Sequence, residues 1–293
     1  MSDVMRGHLA MLAFSGLIAG SFALGSLAAP HIAPAALNAI RFAIAAVVMG
    51  IWALATTGIT RRDFEAPWRY IILGVLMCLY FVLMFKGLKT APPVSLAAVF
   101  TLSPILSGIA GYVLLRQIAT RRMAVALAVG AAGALWVIFR ADLAALLEFR
   151  IGRGEAIYFW GCAAHAVYTP LVRMLNRGQS PVVFSFGAVT AAAIILTFVG
   201  APDLLQMDWA GLPPIVWITL AYVTVFATAL TVVLLQYASL KLPSAKVMAY
   251  TYLTPSWVIG WQVALGHSLP PSLVLIGIGL TIVALALLLK NEG

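Results

Sequence analysis

The side chains that could do chemistry in this chain are few, and their positions are restrictive. The nine carboxylates are Asp3, Asp63, Glu65, Asp142, Glu148, Glu155, Asp203, Asp208 and Glu292. All fall in polar connectors, at the ends of apolar runs or at the termini, so none is placed as an intramembrane proton or sodium relay. The same distribution argues against an intramembrane aspartyl protease or a di-metal enzyme. There is no HExxH, no GxSxG in a suitable context and no glycine loop to cradle a phosphate, so this chain alone does not hydrolyse ATP. Cys78 and Cys162 lie inside apolar runs without CxxC or metal-ligand spacing and read as small buried hydrophobes. No metal and no cofactor is called for.

The polar groups that remain lie within apolar runs. His165 stands near the middle of one, with no charged neighbour in sequence. It is either a core histidine bonded to a neighbouring helix or an imidazole facing a water-filled cavity, because a polar group at mid-depth must face protein or water. Tyr80, midway along another run, has an apolar ring and a hydroxyl that needs a partner. Thr101 and Ser103 precede Pro104, and Tyr252 and Thr254 precede Pro255. Each proline frees a backbone carbonyl and opens a local kink, where adjacent polar side chains could bond the freed group or a substrate. Tyr168 and Tyr250 complete the candidate binding set, with helix packing as the alternative for each. Pro104 and Pro255 are the hinge candidates.

The elements that must position these residues follow from composition. Of 293 residues, 63% are hydrophobic and 9% charged, with mean hydropathy +1.04. A soluble domain carries roughly 25% charged residues, so soluble enzymes, disordered chains and secreted scaffolds are excluded. The net charge of +9 has no interleaved aromatic patch and does not imply nucleic-acid binding. Ten apolar segments are long enough to cross a bilayer: 8–28, 35–57, 69–89, 93–115, 121–140, 155–174, 181–200, 213–236, 243–265 and 271–290. The first is too long for a cleaved signal peptide and reads as retained. With the N-terminus inside, twelve Lys/Arg fall on the inside ends and six on the outside ends, Lys290 being counted inside. Both termini are therefore expected in the cytoplasm, in a plasma (inner) membrane.

The two halves repeat. The segment 85–105 aligns with 236–256 so that Pro92 meets Pro243, Ser103 meets Thr254 and Pro104 meets Pro255, at an offset of 151; Gly7 meets Gly154 and Pro34 meets Pro181 at 147. Residues 1–150 and 151–293 then form two five-helix repeats. Five is odd, so the second repeat enters from the opposite side. Such inverted repeats support alternating access around a site near the midplane.

The stretch HIAPAALNAIRFAIAAVVM (31–49) resembles the proline-then-arginine second helix of EamA-type transporters, of the drug/metabolite transporter superfamily. IAGSF (18–22) resembles the WGS-type segment of their first helix, with Ala19 where Trp is usual. SPILSGIAGYVLL (103–115) and TPSWVIGWQVALG (254–266) resemble their fourth and ninth helices; the Glu common after them is absent, Arg116 and His267 standing near its places. Length, span count and central aromatics look most like the YddG-type exporters of aromatic amino acids. That resemblance implies a Tyr at the place of Tyr80 and an aromatic cavity residue at the place of His165.

Other residues read as architecture. Gly16, Gly20 and Gly25, and the stripe Ser103, Ser107 and Gly111, allow close helix approach. Trp68, Trp209 and Trp217 sit at span ends as interface anchors. Arg41 reads as an outer-side helix anchor. Lys86 reads as a snorkelling side chain, with a counter-charge for a substrate carboxylate as its alternative. The expectation is an all-α membrane protein that exports small organic metabolites, aromatic and other neutral amino acids foremost. Side chains from spans 3, 4, 6 and 9 would hold the substrate, without an acidic relay. A proton-coupled exporter of drugs or other metabolites is the alternative. A membrane enzyme or an assembly protein is a lesser rival, and phosphate-bearing substrates would want paired basic residues in the cavity.

Overall fold

The computed structural model describes residues 3–289. Lys290 and Glu292 lie outside the described residues. The helices are α1 (Asp3–Ala28), α2 (Pro34–Thr56), α3 (Trp68–Leu88), α4 (Pro93–Phe100), α5 (Ser103–Leu115), α6 (Arg121–Ile138), α7 (Leu143–Leu147), α8 (Arg153–Leu175), α9 (Pro181–Gln206), α10 (Pro214–Thr224), α11 (Thr231–Lys241), α12 (Ser244–Ala249), α13 (Thr254–Ala264) and α14 (Ser272–Leu289). There is no strand among the described residues. Several helices start on a proline, Pro34, Pro93, Pro181 and Pro214 among them. At that position the missing N–H would have had no intrahelical partner anyway.

Eight helical stretches among the described residues are long and apolar enough to cross a membrane, α4–α5 and α10–α11 each counting as one. The other two expected spans are helical too, one more polar and one broken. Helix α8 carries Arg153, Glu155 and Arg173. The expected ninth span is divided into α12, a 3₁₀ turn (Tyr250–Leu253) and α13. Two boundaries also differ. Helix α9 runs on through Pro202 to Gln206, where a connector was expected, and the inter-repeat connector contains the short α7.

The exposed faces are apolar: Val47, Ile51, Leu54, Val75, Leu79, Phe198 and Val199 all point outward. Polar side chains such as Arg41, Arg69, His165 and Gln236 are inside. A chain folded for water would place them the other way round.

Equivalent helices of the two halves pack as antiparallel pairs. The start of α2 (Ala35) meets the late α9 residue Gly200, while Gly50 near its other end meets Phe186 near the start of α9. The late α6 residue Trp136 donates from Nε1 to Leu273 O at the start of α14, 2.8 Å. Helix α4 packs on α13 and α5 on α12. The remaining contacts swap partners between halves: α3 packs on α8, and α1 on α10 and α11. Antiparallel pairing of equivalent helices is the geometry of an inverted repeat.

The α6–α14 pair shows how tightly these helices meet. A Cβ on Gly133 would lie 2.5 Å from Gly277 O, and one on Gly277 would lie 2.8 Å from Gly133 O. Gly133→Ala and Gly277→Ala should each destabilise the protein by about 1–3 kcal/mol through overpacking. Gly260→Ala meets nothing within 4 Å and should be neutral or slightly stabilising. Thermal unfolding in detergent, followed by loss of the monodisperse peak, checks all three.

Candidate functional site

A small cavity lies where α1, α3, α8 and α11 converge, two helices from each half. Its walls are Phe14 and Ile18, then Met77, Tyr80 and Phe81, then His165 and Tyr168, then Thr231, Val232 and Leu235. The free space is about 10 Å³, the threshold for holding one water. This is an occluded arrangement, and a larger guest requires the walls to part.

His165 is the centre of the aromatic cluster. Its ring centroid is 4.3 Å from that of Tyr80, 5.5 Å from Phe100 (edge-on), and 6.1 Å from Tyr168 with the planes 11° apart. Its Nδ1 is buried and has no hydrogen-bond partner. A buried nitrogen left unpaired costs free energy, and the residue that carries it lines the cavity. Around it the hydroxyls are committed. Tyr158 donates to the Tyr80 hydroxyl (3.2 Å), and Gln236 Nε2 donates to the Tyr168 hydroxyl (2.9 Å). Gln236 Oε1 is a second buried acceptor without a donor.

Tyr80, His165 and Tyr168 are thus brought together. The other candidates do not line the cavity. The Thr101 hydroxyl donates back to Ala98 O at 2.6 Å, and it is the preceding ring, Phe100, that reaches the cluster. Ser103 and Thr254 are buried at the starts of α5 and α13. Tyr252 packs its ring against Gly130 of α6. Tyr250 faces the start of α1, its hydroxyl 3.1 Å from His8 Nδ1. Where spans 3, 4, 6 and 9 were expected to meet, this cavity is lined by spans 1, 3, 6 and 8. The fourth and ninth spans pack on each other, which turns most of their polar groups away from the cavity.

The helix breaks beside Pro104 and Pro255 are equivalent. Helix α4 ends at Phe100, with Thr101 N and Leu102 N bonding Ala98 O and Val99 O, before α5 begins. In the second half the 3₁₀ turn Tyr250–Leu253 leads into α13 in the same way. A third break has no counterpart in the sequence reading: α10 and α11 are joined through a π-helical turn, Val225–Leu230.

Arg41 is fully buried and anchors α2 to the π-helical turn. Nε donates to Thr228 Oγ1, Nη2 to Ala227 O (2.7 Å), and Nη1 to Asn38 Oδ1 (3.4 Å). Lys86, the other basic candidate, is exposed. Arg69, counted among the connector charges, is also buried and caps the end of α8 through Leu175 O at 2.7 Å. Of the carboxylates, Glu155 is buried in the first turn of α8 and accepts from Ser95 Oγ at 2.7 Å. A helix N-terminus favours the anion there.

The residues that sequence reading passed over are Tyr158, Gln236, Phe14 and Phe100. Tyr158 and Gln236 stand close to expected span ends, where polar groups are unremarkable. The phenylalanines are chemically indistinguishable from core.

The EamA-like transporter family model matches this chain twice, over residues 5–139 and 152–290. The chain belongs to that family. It is a multi-pass membrane transporter of the drug/metabolite transporter superfamily, not an enzyme, built from two EamA-like repeats. A relative, the "Uncharacterized transporter YyaM" of Bacillus subtilis (strain 168), is 24% identical over 279 residues, covering 92% of each chain. A solved chain described as "Crystal structure of protein" superposes with a TM-score of 0.72 at 20% identity, covering 98% of this chain and 97% of its own. At that identity it speaks for the EamA-like fold alone.

The Tyr80–Tyr158 bond yields a direct test. Tyr80→Phe and Tyr158→Phe should each lower stability by about 1 kcal/mol, and the double variant should cost little more than either, because both remove one bond. A double-mutant cycle of detergent unfolding midpoints checks it.

Proposed function

We propose that this transporter carries small neutral organic metabolites, aromatic and other neutral amino acids foremost, through the central cavity by alternating access. The observation that carries the reading is His165: a buried imidazole with an unpartnered Nδ1, ringed by Tyr80, Tyr168, Phe14 and Phe100, where helices of both repeats converge. Aromatic walls suit an apolar or aromatic side chain, and the unpaired Nδ1 of His165 suits its polar end. An occluded cavity at the meeting of two inverted halves is the midpoint that alternating access requires.

In this reading ten helices cross a plasma (inner) membrane with both termini cytoplasmic, residues 1–150 and 151–293 move against each other, and Pro104 and Pro255 are the flexing points. The direction is export and the type is the YddG-like aromatic exporter, as the sequence resemblance implies. His165, Tyr80 and Tyr168 contact substrate. Thr101, Ser103, Tyr250, Tyr252 and Thr254 act on the hinges and their packing. Transport runs down the substrate gradient, because no carboxylate lines the cavity.

A proton-coupled exporter is the second reading, and Glu155 is the observation that favours it. A buried carboxylate held by Ser95 is a group that could take up a proton as the protein opens.

Flux of labelled phenylalanine, tryptophan, threonine and methionine from proteoliposomes, with and without a pH gradient, tests both. We expect flux indifferent to the gradient, reduced about tenfold or more in His165→Ala and Tyr80→Ala. In Thr101→Val it should stay within about twofold, since that hydroxyl bonds only its own helix. Gradient-driven flux abolished by Glu155→Gln establishes the second reading instead. No amino-acid flux in any arm overturns the substrate class.

A further inference from the structure

We propose that Arg41 is the recognition group for a carboxylate on the transported molecule, and that the Phe81 ring covers it until that carboxylate arrives. The inference rests on the central-cavity reading above and adds to it the charge that the ligand must carry.

Arg41 is completely buried, and a guanidinium keeps its charge in proteins. A buried cation is costly unless an anion faces it. None does. The ion pairs among the described residues are Arg6–Asp3, Arg150–Glu148 and Lys241–Asp3, all at the surface. The buried carboxylate, Glu155, is bonded to Ser95. The three partners of Arg41 are neutral: a hydroxyl, a carbonyl and an amide oxygen.

A structural role explains part of this. The π-turn at Val225–Leu230 presents Ala227 O and Thr228 Oγ1, and Arg41 ties both to α2. Neutral acceptors need only neutral donors, however, and a glutamine amide would meet two of the three without burying a charge. Arginine also has five N–H groups. Three are used, which leaves one on each of Nη1 and Nη2. That pair is the fork that binds a carboxylate with two parallel hydrogen bonds.

Phe81 connects this group to the cavity. Its ring lies 4.0 Å from Arg41 Cζ and forms part of the cavity wall. The ring that bounds the cavity is therefore the ring that covers the guanidinium. A cation–π contact partly compensates a desolvated charge, and a carboxylate compensates it better. A swing of Phe81 as the cavity opens would exchange one for the other. The neighbouring Asn38 holds Phe81 O at 3.4 Å as well as Pro34 O at 2.8 Å, so the backbone of the gate is anchored while its side chain turns.

The test is binding of phenylacetate against its neutral isostere phenylacetamide to the purified full chain, by intrinsic fluorescence at fixed ionic strength. The wild type should bind the carboxylate about tenfold or more tightly than the amide. Arg41→Gln should bring that ratio close to one, and Arg41→Lys should keep part of it. Phe81→Ala, which uncovers the guanidinium and leaves the charge in place, should raise the ratio; it serves where the Arg41 variants do not fold. A wild-type ratio near one overturns the inference, as does a folded Arg41→Gln that keeps the wild-type ratio, or a lower ratio in Phe81→Ala. Amino-acid flux without Arg41-dependent discrimination leaves the proposed function standing and removes this inference. Arg41-dependent carboxylate binding without amino-acid flux does the reverse.

Discussion

Hydrocarbon does not hydrogen-bond, so every backbone group that leaves the helical ladder inside this protein must find its partner within the protein. Three interruptions put that constraint to use: the turn at Thr101 and Leu102, the π-turn at Val225–Leu230, and the 3₁₀ turn at Tyr250–Leu253. Each is tied back to the protein by hydrogen bonds. The first closes on Ala98 O and Val99 O. The second is held by Arg41 and by Thr228 bonding Val223 O. At the third, Thr281 donates to Tyr252 O. The second and third irregularities thereby recruit polar side chains, Arg41, Thr228 and Thr281, to the interior of an otherwise apolar bundle.

The cavity inherits its character from the same economy. Half of its lining residues carry rings, and ring contacts are weak singly and tolerant of exchange. Its polar lining residues are Tyr80, His165, Tyr168 and Thr231, and of these His165 keeps an unpartnered atom, Nδ1. The occluded volume of about 10 Å³ shows how fully the rings fill the space when nothing is bound between them.

Tight and loose interfaces are distributed unevenly. The α6–α14 pair meets backbone to backbone at Gly133 and Gly277, while Gly20 on α1 accommodates the Tyr222 ring, whose hydroxyl bonds Leu17 O. Backbone contact of the first kind resists displacement. Contacts through a ring and a single hydroxyl can re-form in another register. The cavity helices carry both kinds: α3 and α8 meet backbone to backbone at Gly87 and Gly154, while α1 meets α10 through the Tyr222 ring, and the second is where a change of shape is less costly.

The sequence by itself determined the class and the plan. Apolar length is additive along the chain, so the membrane class, eight of the ten expected spans, the repeat through Pro104 and Pro255, and the antiparallel character of its halves were legible without coordinates. The residues at the heart of the cluster, Tyr80, His165 and Tyr168, were legible too, because a polar group in the middle of an apolar run has to face something. Only the tertiary structure decided which helices make the cavity and where the charge lies. Thr101 and Tyr252 carry the same hydroxyl chemistry as Tyr80, yet one bonds its own helix and the other packs on Gly130. Arg41 sits close enough to a helix end to reach the interface, but a partner helix presents Ala227 O and Thr228 Oγ1 on the inward side. Depth along a span is a property of sequence. Direction around the helix axis is set by the neighbour it packs against, and that neighbour is known only once the chain has folded.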